Sequence, residues 1–143
     1  MPIGEDIPML IPISIVLVIF LVFVLSLFAN FSEQHDIVKM SQSSLTTGSY
    51  LINVKFGTRT GMLDISKLGY NFTVCRDISQ LNISSSYQMR INISDTTSGK
   101  NWCWDNTNSY SKEPTTSVSN NFPVLFLNDT TTEFGQVKIS VSK

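Results

Sequence analysis

From Ile7 to Ala29 the chain reads IPMLIPISIVLVIFLVFVLSLFA, with no charged residue anywhere in the run. As a helix this segment is about 34 Å long, enough to cross a hydrocarbon core of about 30 Å. It predicts one transmembrane helix over 7–29, preceded by a short acidic tail over 1–6. A cleaved export signal fits less well, because such a signal has a basic n-region and a shorter apolar core. Here Glu5 and Asp6 precede the run, with no Lys or Arg before it. A helix apolar on all sides also needs more protein around it than this chain could supply. A retained anchor is expected.

Beyond Ala29 the apolar density falls. Residues 30–47 read as a stalk that continues the helix for a few turns, with Ile37, Val38 and Met40 before Ser-rich sequence, and Thr46, Thr47 and Gly48 end it. The period then changes to two. Tyr50, Ile52, Val54 and Phe56 alternate with polar or outward residues and predict a first strand, and 57–61 reads as a turn. Leu63 and Ile65 mark a short strand. Tyr70, Phe72 and Val74 alternate with Asn71, Thr73 and Cys75, and Tyr87, Met89, Ile91 and Ile93 with Gln88, Arg90 and Asn92.

Asp95 to Gly99, DTTSG, is a turn signal that leads into Asn101 to Asp105. Residues 106–121 read as a long loop and Phe122 to Leu127 as a short apolar run. Asn128 to Thr132 is a turn, and Gly135 opens a last strand with Val137, Ile139 and Val141 inward. Six or seven short strands over 48–143, each with one polar face, predict an all-β domain, expected as an antiparallel β-sandwich.

Charge narrows the function classes. Ten basic and eleven acidic residues give a formal net charge of −1, with the first basic side chain at Lys39. That balance carries no footprint for nucleic acid. The single histidine, His35, precedes Asp36 on the stalk and has no nucleophile or second acid at a motif spacing. Phosphate loops and metal-ligand spacings are missing as well. The expectation is a non-enzyme with no cofactor and no metal.

Two features place the β domain outside the cytosol. Asn-X-Ser/Thr acceptors for glycan stand at Asn30, Asn71, Asn82, Asn92 and Asn128. Asn30, against the bilayer, is the poorest of them. Cys75 and Cys103, the only cysteines, are 28 residues apart and are expected to form one disulfide. Trp102 and Trp104 lie at i and i+2 of one strand. They are either core beside the disulfide or an exposed contact platform.

An apolar N-terminal helix running through a stalk into a sequon-bearing, Ser/Thr/Asn-rich β domain resembles the archaeal type IV pilin-like proteins and the accessory proteins of the archaeal motility filament. Gly4, ahead of the apolar run, matches the glycine after which pilin precursors of that class are cut. No basic residue precedes it, and Glu5 and Asp6 would lead the mature chain where the pattern is apolar. The uncleaved accessory protein is thus the nearer likeness.

Two functions follow. The first is an anchored extracytoplasmic module of the cell membrane, whose partners are the lipid bilayer and a surface-layer, filament or other envelope protein. The second is a pilin-like filament subunit with the apolar helix in the filament core. Filament cores favour small residues at close helix contacts. In this run only Ser14, Ser26 and Ala29 are small, which favours a lipid-facing anchor. Docking onto other helices, including a homo-oligomer, needs no signature and stays open.

Overall fold

The computed structural model describes residues 7–59, 62–70, 74–106, 116–129 and 131–143, with side chains left out at 7–11 and 59. The chain divides into two units, Met1–Asp36 and Ile37–Lys143. The tail over 1–6, including Gly4, and the acceptor Asn71 with Phe72 lie outside the described residues.

The described part of the first unit is helical. Helix α1 spans Ile7–Tyr50 and runs through Pro12. From Ile13 to Phe31 its large apolar side chains are exposed on every side, from 43% at Val24 to 74% at Phe28. The helix is long and apolar enough to cross a membrane.

The second unit takes up α1 from Ile37 onward. Met40, Ser44, Thr47 and Gly48 are buried there at helical spacing, so this part of the helix is a wall of the core. The burial continues into a π-helical segment, Leu51–Lys55. The strand expected over 50–56 does not form. Leu51, Ile52 and Phe56 are buried whereas Asn53 and Val54 are exposed, a pattern that extends the helical stripe. The Phe56 amide donates to the Leu51 carbonyl at 3.0 Å, the wide-turn bond of a π-helix. At Gly57 a β-carbon would collide with the Ile52 carbonyl oxygen, so only glycine lets the chain leave the helix here.

Among the described residues seven strands follow: β1 (Gly57–Arg59), β2 (Met62–Asp64), β3 (Arg76–Asp77), β4 (Gln88–Asp95), β5 (Asn101–Asp105), β6 (Ser117–Asn128) and β7 (Thr131–Ser142). A one-turn helix α2 (Ile65–Leu68) follows β2, and a 3-10 turn, Ile78–Leu81, follows β3. The strands form one curled half-barrel sheet in the order β1-β2-β6-β7-β4-β5-β3. The sandwich expectation is corrected accordingly. The described strands make a single mixed sheet, with β2 parallel to β6 and β3 parallel to β5. Alternation along a strand reports that one face is buried but not what buries it. Here residues 40–56 cover part of that face, where a sandwich would use a second sheet.

The inner face carries Met89, Ile91 and Ile93 of β4, Val137, Ile139 and Val141 of β7, and Val124 and Phe126 of β6, all buried. The alternations of β4 and β7 match those read from sequence. The apolar run Phe122 to Leu127 is the second half of a strand that starts in the expected loop, at Ser117. The Ser44 hydroxyl donates to the Ile139 carbonyl at 3.4 Å, tying the helix to the sheet's centre. Tyr70 and Val74, expected on a strand, are instead 93% and 77% exposed. Gly69 at φ +76° turns the chain out of extended geometry just before them.

Candidate functional site

β5 sits between β4 and β3, and its three central side chains are all buried. Trp102 is 0% exposed and Trp104 4%. Their rings lie 6.0 Å from Phe126 and 5.7 Å from Phe56 respectively, centroid to centroid. The Trp102 indole N–H donates to the Gly69 carbonyl at 3.2 Å. Buried this deeply, neither tryptophan is a contact platform; both are core.

Cys103, between them, faces the outer side and is bonded to Cys75. The disulfide ties the segment after Gly69 to β5, next to the parallel β3–β5 pairing that begins at Arg76 and Trp104. The two short bridges, disulfide and indole hydrogen bond, hold this edge of the sheet from opposite faces.

A residue that pattern reading passed over closes the neighbouring end. Asn106 follows β5, and its side-chain oxygen accepts from the Met89 amide at 2.6 Å. Its side-chain nitrogen donates to the Tyr87 carbonyl at 3.0 Å, and its own amide donates to the Met89 carbonyl at 3.2 Å. These bonds cap the β4–β5 ladder where β4 begins. An Asn just past a strand was the only signal in the sequence.

The opposite end of β4 is acidic. Asp95 is 2% exposed and faces inward. Its carboxylate accepts from the amides of Thr97 at 2.8 Å and Ser98 at 3.2 Å and from the Ser98 hydroxyl. Burial works against its charge, but hydrogen bonds with Glu133, with Ser98 and with the Thr97 amide outweigh it and hold the carboxyl below its ordinary value. Asp64 and Asp77 cap α2 and the 3-10 turn. Their carboxyls are lowered first by the hydroxyls of Ser66 and Ser79 and then by the same residues' amides. These three carboxylates are committed to the backbone turns beside them. Among the described residues no group of three His, Cys, Asp or Glu converges as a metal would require.

No family model matches the chain, and no curated protein or solved structure matches it either.

What remains for contact is surface. The outer sheet face presents Arg90, Asn92, Asn121, Gln136 and Lys138, all exposed, with Arg90 in an ion pair to Asp105 at 3.3 Å. On the helix, a shallow groove is lined by Leu45, Thr46, Ser49, Tyr50, Asn53 and Val54. Of the candidate glycan acceptors, Asn30 is exposed on α1, Asn82 is exposed after the 3-10 turn and Asn92 is exposed on β4. Asn128 is half-buried, and its side-chain nitrogen donates to Glu133 Oε1 at 3.2 Å. His35 is exposed on α1.

Proposed function

We propose that the chain is a membrane-anchored module of the cell envelope, with its β domain on the extracytoplasmic side as a contact domain for another envelope protein. The observation that carries this reading is the apolar part of α1. Between Ile13 and Phe31 its large side chains are 43–74% exposed, a state that water makes costly and lipid does not. The Cys75–Cys103 disulfide supports an exported domain, since reducing compartments keep thiols free. With the tryptophans in the core and the buried carboxylate engaged by its own turn, recognition falls to the outer sheet face and the exposed helix groove.

Pilin-like assembly is the second reading, favoured by one feature. Helix α1 does not end where the apolar run ends; its later turns supply core residues Met40 and Ser44 to the β domain. Such a continuous helix fits a filament subunit, although the few small residues of its apolar run still favour lipid.

Alkaline extraction of membranes, protease protection and N-terminal sequencing test the two. An anchored module stays in the alkali-washed membrane, has its β domain digested only from the extracytoplasmic side, and starts at Met1 or Pro2. A start at Glu5 with recovery in sheared filaments would put the pilin-like reading first. Release by alkali without filaments would refute both.

A further inference from the structure

We infer that Asn82 carries an N-linked glycan in the folded domain, and that Asn128 stays bare. This rests on the exported placement proposed above. The acceptor triplet is Asn82, Ile83 and Ser84. Asn82 ends the 3-10 turn in the left-handed region, at φ 59° and ψ 32°, its amide donating to the Ser79 carbonyl at 3.0 Å. Asparagine tolerates that conformation better than other side-chain-bearing residues. Asn82 and Ser84 are exposed, whereas Ile83 between them packs against the core.

The triplet therefore turns its two reacting side chains outward and is held in place by the third. Residues 82–87 belong to no strand, so a transferase can engage this backbone without competing with a sheet ladder.

Asn128 differs at the atom that matters. It ends β6 at the same alternation as Val124 and Phe126, which face the core, and its side-chain nitrogen is the donor to Glu133 Oε1. Glycan transfer would have to take that nitrogen from Glu133 and fit a sugar where the chain is half-buried.

The donor is a lipid-phosphate-linked oligosaccharide. The Asn82 amide nitrogen forms a bond to the sugar's anomeric carbon. The bond from that carbon to the phosphate oxygen breaks, the lipid phosphate leaves with the electron pair, and the amide nitrogen gives up one proton to solvent.

The test uses the full chain with a control Asn-X-Thr acceptor appended after Lys143, synthesised into N-glycosylating microsomal membranes that contain the donor. Gel mobility with and without endoglycosidase, together with glycopeptide mapping, reads the sites. Glycan on Asn82 is expected, with one glycan's mass lost in both Asn82→Gln and Ser84→Ala and none lost in Asn128→Gln. Ser84→Ala keeps Asn82 in its turn, so agreement of the two variants separates lost transfer from lost folding. A glycosylated control acceptor with Asn82 bare, or a glycan on Asn128, overturns the inference and leaves the exported placement standing. Control and Asn82 both bare, with Cys75 and Cys103 recovered as thiols, overturns the placement and the inference together.

Discussion

Gly48 of helix α1 faces the ring of Phe122 on β6 so closely that a β-carbon on Gly48 would lie 2.5 Å from two of the ring's carbons. The helix and the sheet meet here because one residue has no side chain. Replacing Gly48 with Ala gains up to about 1 kcal/mol of helix propensity, against an overpacking cost of about 1–3 kcal/mol. A net loss of about 1 kcal/mol is expected, seen as a lower thermal midpoint of the full chain in detergent. In a Phe122→Leu background the same substitution should cost nothing. Equal losses in both backgrounds would show that the ring is not the obstacle.

Trp102 fills the inner face of β5 and donates to Gly69. Trp102→Phe should lose the hydrogen bond and some volume, and Trp102→Ala about 3–5 kcal/mol. Fluorescence gives an independent check. Both tryptophans should emit in the blue range and resist iodide quenching, and strong quenching of the native protein would contradict their burial.

Reducing the Cys75–Cys103 bond releases a loop whose ends are 28 residues apart. The expected loss is about 3–4 kcal/mol on the chain-entropy account. Alkylation without reductant should add no mass to either cysteine. Two alkylated thiols in native, membrane-derived protein would refute the bond.

Acid should weaken the β domain through its turn carboxylates. Asp64, Asp77 and Asp95 all have folded-state values below their ordinary 3.8. The folded state therefore holds these protons less tightly than the unfolded chain does. The stabilisation is complete above the ordinary value and disappears as pH falls through it toward the lowered ones. A thermal midpoint flat above pH 5 and falling below about pH 4 is expected. Asp95→Ala should cost about 1–3 kcal/mol at neutral pH, since the Thr97 and Ser98 amides lose their acceptor. It should also make the acid limb shallower, and an unchanged limb would assign the acid sensitivity to other groups.

Much of this protein was determined by its sequence alone. Twenty-odd uncharged apolar positions make a membrane-length helix without help from the rest of the chain, because helical hydrogen bonds are local. The alternations of β4 and β7, the turn at Asp95 to Gly99 and the strand around Trp102 were legible for the same reason: each is a pattern within a few residues. With only two cysteines, the disulfide had one pairing available.

Tertiary structure decided what depends on partners distant in sequence. Tyr50 to Phe56 satisfies a period of two, yet burial of Met40, Ser44 and Gly48 on one helix face carries the helical path on to Lys55. The parallel pairing of β2 with β6 joins residues more than sixty positions apart, and no local pattern encodes a neighbour. Whether Trp102 and Trp104 were core or surface turned on what covers the inner face, which is helix and loop rather than a second sheet. Asn106 acquired its capping role only when β4 and β5 paired. Periodicity specifies which face of a segment turns inward; chain folding decides what that face meets.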